Sequence, residues 1–347
     1  MIFYWCSGQE DNIGDVILRR RMLRSLQSAD ECRVYVGRAS PNFIRALGLQ
    51  DRDVVYSNFL AFVLIAMLNC LRKDWKFAFN PGEIKCNRRQ SLMHAALIPM
   101  MLISNTRGRR CIRIGVGIHE YSSRWEVFVK ATVRLAGVNV WRDAESRARF
   151  DSGTVAPDWA FDEHGLSSPD ATGEDPRGML GVSLRSDGSA ATETWLTAVR
   201  TLAQMSGLEP VVLVQVQRDS ERSHEMAARL GCEVLDWTDA NHSEQEARLR
   251  EAYRTCAGVI SDRLHVLVMA MTEGAVPLGL MEHVDNKVHK HFDAAGIDRI
   301  SWDVRSWASE QIAERGSKVL GQRDGLFKQL VETQERIRQL DAMVKGL

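Results

Sequence analysis

Three short runs hold side chains able to bind an anion or move a proton. Ser261-Asp262-Arg263-Leu264-His265 follows the apolar run Gly258-Val259-Ile260 and leads into another, Val266 to Met271. A fixed positive charge, Arg263, thus stands two residues from His265, the side-chain type best suited to proton transfer near neutral pH. Both lie at a helix start, where free backbone N–H groups favour an anion. The plainer alternative is a structural histidine bonded to a carbonyl, with Arg263 paired to Asp262 or another carboxylate. Val182-Ser183-Leu184-Arg185 puts an arginine at a strand's carboxyl end, where its fork can grip a carboxylate or phosphate or simply be solvated. Asp11-Asn12-Ile13-Gly14-Asp15 opens the first helix. There Gly14 permits close backbone approach to a ligand, and the helix end suits phosphate. Asp15 fits a general base or a partner for a hydroxyl, although Asn12 and Asp15 serve equally well as helix caps. Lys287, after Asn286, and the run Arg142-Asp143-x-x-Ser146 are lesser candidates.

Positioning these runs requires strands whose ends meet. Short apolar runs alternate with helical patterns along the whole chain, which predicts parallel sheets built from βαβ units. In the first half the pattern predicts strands at 2–6, 33–36, 53–56, 76–79, 112–117 and 138–141. The helices there fall near 13–27, 40–47, 58–72, 90–104, 122–136 and 143–149. The stretch 162–178 is rich in Ser, Pro, Asp, Gly and Thr with no apolar period, a linker signature. Strands at 180–184, 211–215, 232–236, 257–260 and 275–279 follow it. Their helices are expected at 190–206, 219–230, 243–254, 264–273 and 286–295. A charged helical tail runs from Arg305 to Val344. The expected architecture is α/β: two doubly wound Rossmann-like domains facing a cleft. Residues 1–161 form the acceptor-side domain and 162–178 the linker. Residues 179–304 form the donor-binding domain, and 305–347 supply helices packing across both.

The chain has 347 residues, too many for one ordinary core, with 45 basic and 45 acidic side chains, so a strongly basic nucleic-acid binder is not expected. Seven scattered cysteines without a CxxC pair point to buried thiols in a reducing, cytoplasmic setting, and no metal-ligand spacing occurs. The longest apolar stretch, Phe59 to Leu71, is too short to span a bilayer. It ends on Arg72 and Lys73. A second apolar stretch, Leu92 to Ile103, precedes Arg107, Arg109 and Arg110. Two apolar helices with basic exits suit peripheral contact with the inner face of a membrane; core helices of an α/β domain are the plainer reading.

Together these runs resemble the polysaccharide pyruvyltransferase family. The resemblance rests on Asn12-x-Gly14-Asp15, Val182-Ser183-Leu184-Arg185 and Ser261-Asp262-Arg263-Leu264-His265. Gly274-Ala275-Val276-Pro277, Lys287, Arg142-Asp143-x-x-Ser146 and Ala156-Pro157-Asp158-x-x-Phe161 extend it in the same order, from about Asp11 to about Ile297. The resemblance implies a two-domain fold like that of GT-B glycosyltransferases. It also implies transfer of pyruvate from phosphoenolpyruvate to a sugar as a cyclic ketal, in bacterial cell-surface or exopolysaccharide biosynthesis. The acceptor would be a sugar of a glycan or of a lipid-linked oligosaccharide. The implied roles put the donor on Arg185 and Arg263, with Asn12, Gly14 and Lys287 beside it. His265 is the implied acid, and Asp15 is also catalytic. Arg142 and Asn80 fall on the acceptor side, where Asn80-Pro81-Gly82 replaces the family's glycine-rich turn. No cofactor beyond the donor substrate is implied. Two other readings remain: a GT-B glycosyltransferase using a nucleotide sugar, for which Glu282 is the candidate ribose reader, and a non-catalytic glycan-assembly protein.

Overall fold

The structure is a computed structural model that describes residues 1–108, 111–120, 124–163, 177–188, 190–238, 240–282 and 287–346. The chain divides into two compact units. Unit 1 comprises Met1–Glu10, Asp15–Trp159 and Arg336–Leu347; unit 2 comprises Asp11–Gly14 and Ala160–Glu335.

Unit 1 is built from β1 (Ile2–Trp5), α1 (Ile13–Gln27), β2 (Cys32–Tyr35), α2 (Pro41–Ala46), β3 (Val54–Tyr56), α3 (Phe59–Asn69), β4 (Lys76–Ala78) and β5 (Gly82–Lys85). It continues through α4 (Arg88–Asn105), β6 (Cys111–Glu120), α5 (Glu126–Leu135), β7 (Val138–Trp141), α6 (Ala144–Phe150) and β8 (Thr154–Val155). Its sheet has the order β3-β2-β1-β4-β6-β7-β8, with β5 paired to β6, and every pairing is parallel. β4 lies along the start of β6, at Cys111 and Ile112, and β5 along its later half from Val116. Between them stand Phe79, Asn80 and Pro81. Proline cannot donate to the ladder, so one long strand position is split in two at Asn80-Pro81. α3 and α4 pack side by side on one face of this sheet, over a core that includes Phe3, Phe62, Phe77, Leu97 and Met100.

Unit 2 contains β9 (Met179–Ser183), α7 (Glu193–Ser206), β10 (Glu209–Leu213), α8 (Ser220–Leu230), β11 (Glu233–Leu235), α9 (His242–Thr255) and β12 (Cys256–Ser261). There follow α10 (Leu264–Thr272), β13 (Val276–Met281), α11 (Lys287–Ala295), β14 (Ser301–Asp303), α12 (Ser309–Leu320) and α13 (Arg323–Lys345). The order is β11-β10-β9-β12-β13-β14, again all parallel. Local sequence fixes the helix ends. Thr192 caps α7, a capping box of Asn241 and Glu244 opens α9, and Gly207 and Gly231 close α7 and α8 in the left-handed conformation.

The tail is two helices, of which α12 belongs wholly to unit 2. It lies against α7, where a Cβ on Gly316 would come within 2.6 Å of Leu202. α13 is shared: its residues to Glu335 count with unit 2 and those from Arg336 with unit 1. The expected boundary at residue 161 falls instead after Trp159, and Asp11–Gly14 belong to unit 2 rather than to the N-terminal unit. Most of the expected linker, 164–176, lies outside the described residues, as do Arg109 and Arg110. Among the described residues, no helix is long and apolar enough to cross a membrane.

Candidate functional site

In each sheet the strand order reverses beside the first strand of the unit. This is the switch point at which loops leave the sheet in opposite directions and open a crevice beyond the strands' carboxyl ends. In unit 2 the reversal lies between β9 and β12. Arg185 follows β9, and Arg263 and His265 follow β12, so the sheet topology brings the two sequence-distant runs together. Ser261 Oγ ties the strand ends by donating to Ser183 O at 2.6 Å. Asp262 accepts from the backbone N of Arg185 at 3.0 Å and lies 3.3 Å from Nε of its guanidinium, whose Nη2 donates to Asp262 O at 2.9 Å.

Asp219, buried at the foot of α8, takes both Nε and Nη2 of Arg263, the latter at 2.6 Å, and also accepts from Ser186 N at 2.9 Å. Carboxylates therefore orient both arginines while leaving them 22% and 16% exposed. The expectation that Arg263 presents a whole fork to a ligand needs correction: Asp219 occupies one edge, and Nη1 is what remains for an anion.

His265 stands in the first turn of α10 and packs against the loop Asp11–Gly14. That loop is knit to the segment after β10. Gln217 N donates to Asp11 O at 2.8 Å, Asn12 bridges to Val216, and Arg218 Nε pairs with Asp11 at 2.7 Å. Asn12 Oδ1 accepts from Gly14 N at 2.9 Å, so Asn12 is a helix cap. A Cβ on Gly14 would fall 2.5 Å from Cβ and 2.7 Å from Nδ1 of His265. The close approach that Gly14 permits within the structure is to the imidazole itself. Lys287 opens α11, half-buried, and its carbonyl accepts from His291 Nδ1 at 2.8 Å; Asn286 lies outside the described residues.

The reversal in unit 1 lies between β1 and β4. Asp15 Oδ2 accepts from Gln9 N at 2.7 Å and pairs with Arg19 Nη1 at 3.3 Å. Arg19 Nε in turn donates to Ser7 O at 2.8 Å and to Asn80 Oδ1 at 3.1 Å, while Asn80 Nδ2 donates to Ser7 O at 2.9 Å. Asn80, set at the β4–β5 break, thereby holds the arginine that holds Asp15.

Arg142 does not face an acceptor. It is 1% exposed and bonded to Asp158 at 2.7 Å, with Glu83 at 3.5 Å. Burial opposes its charge, but these two carboxylates outweigh that and raise its pKa. Next to it, Asp143 caps α6 through Ser146 N at 2.7 Å, and Ser146 Oγ accepts from Ile118 N at 2.9 Å. This run is a buttress under the end of β6. Glu282, the candidate ribose reader, accepts instead from Thr192 N at 3.0 Å and from its hydroxyl. Among the described residues no group of three or more His, Cys, Asp or Glu is arranged to hold a metal ion.

Sequence reasoning missed Asp219 and Arg19. The i,i+4 spacing of Asp15 and Arg19 on one helix was a legible signal. Asp219 had none beyond an acid at a helix start, because its partner lies 44 residues away.

No family model matches the chain, and no curated protein matches it. Solved structures do. The UDP-GlcNAc 2-epimerase of Neisseria meningitidis, bound to UDP-GlcNAc, superposes with a TM-score of 0.60 at 10% identity, covering 99% of this chain and 100% of that one. The glycotransferase of kitacinnamycin gives 0.54 at 13% identity, covering 100% and 98%. Anabaena Alr3699/HepE in complex with UDP-glucose gives 0.53 at 14% identity, covering 99% of each. The fold is GT-B-like. At these identities the likeness speaks for the fold and the order of its elements, and the chemistry has to be argued from the site.

Proposed function

We propose that this chain is a sugar-directed transferase that takes pyruvate from phosphoenolpyruvate and sets it as a cyclic ketal across two hydroxyls of a glycan sugar. The observation that carries this reading is the convergence of Arg185, Arg263 and His265 at the switch point of unit 2, each with its own brace. Phosphoenolpyruvate is a small, multiply charged anion whose methylene carbon must receive a proton. Two guanidiniums suit its carboxylate and phosphate, the N–H groups opening α10 add donors, and an imidazole suits the proton transfer.

In the proposed reaction His265 delivers a proton to the methylene carbon. A sugar hydroxyl then bonds to the neighbouring carbon. The second hydroxyl bonds to that same carbon as the C–O bond to phosphate breaks. Of the two hydroxyl protons, one restores His265 and the other leaves with phosphate. Arg185 and Nη1 of Arg263 hold the anion throughout. In unit 1, Asp15 is tethered by Arg19. Neither Asn80 nor Arg142 touches substrate in this scheme; both brace the loops of unit 1.

A nucleotide-sugar reading is favoured by one observation, the likeness in fold to structures whose names include UDP or UDP-sugars. A helix N-terminus with two arginines would accept a diphosphate as well. Against it, the carboxylate of Glu282 is committed to Thr192. Thermal-shift titration separates the two, since a ligand that binds only the native state raises the melting point. Phosphoenolpyruvate at about a hundredfold excess over its Kd should raise Tm by about 5–10 °C, with UDP and UDP-glucose inert. A shift with UDP and none with phosphoenolpyruvate would overturn the pyruvyl reading. Release of phosphate on adding a glycan acceptor would then establish the transfer.

A further inference from the structure

In an α/β unit, a helix that covers a sheet needs one apolar stripe. α3 has two. Phe62, Val63 and Ala66 are buried on the sheet, while Leu60, Leu64 and Leu68 repeat at helical spacing on the opposite side and are 73%, 52% and 72% exposed, with Leu71, just past the helix end, 51% exposed. α4 lies beside α3 on the same face of the sheet and buries Leu97, Met100 and Met101, yet it leaves Leu92 and Leu102 exposed. Because both helices sit on one face of one sheet and neighbour one another, their outer stripes face away from that sheet on the same side of unit 1. Single exposed leucines are ordinary; a contiguous set from two neighbouring helices marks an interaction site.

Charge says what covers it. From Val54 to Lys73 and from Ile84 to Gly108 the sequence contains no Asp or Glu, whereas it contains Arg72, Lys73, Lys85, Arg88, Arg89 and Arg107. Arg72, Lys73, Arg88, Arg89 and Arg107 are exposed at the ends of the two helices. The acids that adjoin these stretches are engaged: Asp74 by Arg72 and the N-terminal amine, Asp53 by Gln27 and Cys32 N, and Glu83 by Arg142. A chain with zero formal net charge thus rims this doubly apolar helix with cations. A second copy of the same surface would bring two basic rims together, which is unfavourable. A bilayer with anionic headgroups satisfies both features: leucines enter the boundary between headgroups and acyl chains while the rim meets the phosphates.

We propose that the α3–α4 face of unit 1 is a peripheral membrane-docking surface for anionic lipid. The proposal does not depend on which donor the enzyme uses, so its failure and that of the pyruvyl reading are separate results. Full-length protein would be sedimented with vesicles of phosphatidylcholine alone and of phosphatidylcholine with about 30 mol % phosphatidylglycerol. Two double variants, Leu64→Ser with Leu68→Ser and Arg88→Glu with Arg89→Glu, would be run beside it, with Tm as the folding control. The wild type should pellet with the anionic vesicles at least about tenfold more strongly than with the neutral ones. Each double variant should lose about tenfold or more of that binding, and its donor-induced melting shift should be unchanged. Equal binding to both vesicle types would overturn the proposal, as would variants that bind like wild type. So would a concentration-dependent dimer that the leucine variant abolishes in protein that ignores vesicles.

Discussion

At His265 the decisive neighbour is a residue without a side chain. Gly14 leaves the space in which the imidazole rests, and a methyl group there would overlap both Cβ and Nδ1 of His265. Gly14→Ala must therefore displace the ring from its place at the mouth of α10, and turnover should fall in the same direction as in His265→Ala. Loss of a general acid costs about 100- to 10,000-fold in rate, so His265→Ala should lose turnover on that scale while phosphoenolpyruvate still raises Tm. A Gly14→Ala enzyme with wild-type turnover would refute the packing argument, and a His265→Ala enzyme with wild-type turnover the assignment of the acid. Asp219→Asn tests a different link. Without its full charge the brace on Arg263 weakens, so donor affinity should fall more than turnover at saturation; an unchanged KM would count against it. The arginines and the histidine were legible in the sequence because their types are chemically distinctive and follow apolar runs. Asp219 was not, since an acid at a helix start is ordinary until the sheet brings Arg263 to it.

At the scale of elements, α4 shows what periodicity can and cannot reveal. The helix was legible from its apolar pattern, but the polar contact that its His94 makes with Thr132 of α5 was not. His94 is buried between Trp5 and Phe79, with Nδ1 at 3.0 Å from Thr132 Oγ1. The same hydroxyl accepts from Arg113 Nη2 at 2.9 Å, and the Arg113 guanidinium lies 4.2 Å from the Phe79 ring centre. Burial lowers Arg113 to about 9, which still leaves it charged at neutral pH. Burial first, and that charge second, hold the His94 imidazole well below its ordinary value.

The native imidazole is therefore neutral, whereas in the unfolded chain it protonates near its usual pKa of about 6.5. Stability is retained above that pH. It falls as pH drops below it, by up to about 1.4 kcal/mol per pH unit from this group. Urea midpoints measured between about pH 7.5 and about 5, roughly the range of histidine titration, should decline more steeply in wild type than in His94→Leu. Parallel curves would show that His94 contributes nothing to the slope. The short strands β5, β8 and β14 escaped the sequence for a related reason. Gly82–Lys85 alternates charged and apolar residues directly after a proline, and Ser301-Trp302-Asp303 has no apolar run; each is a strand only because a neighbour supplies its ladder.

For the molecule as a whole, the sequence showed a helical tail, but not that one helix of it, α13, is divided between the two units. The helix reads as one continuous charged stripe with apolar positions, yet Arg336–Leu347 counts with unit 1 and the preceding turns with unit 2. Within unit 1, Asp341 forms a two-toothed pair with Arg21 at 3.0 and 2.6 Å, while Thr333 in unit 2 donates to Ala295 O at 2.7 Å. Removing residues 336–347 should therefore weaken unit 1 specifically. It strips the buried side chains of Ile337 and Val344, worth about 1.5–3 kcal/mol each, and leaves Arg21, itself largely buried, without that carboxylate.

The cysteines report the outcome. Cys6, Cys32, Cys70, Cys86 and Cys111 lie in unit 1 and Cys256 in unit 2, all buried; Cys232, also in unit 2, is partly exposed. Burial pushes the Cys6, Cys111 and Cys256 thiols up to about 12 and Cys86 to about 11, so the reactive thiolate is scarce in the native state. A thiol reagent added to native full-length protein should reach Cys232 alone on a short timescale. After the truncation the five thiols of unit 1 should become accessible while Cys256 stays protected. If Cys256 opens together with them, the loss has passed through both units; if none opens, the end of α13 does not support unit 1.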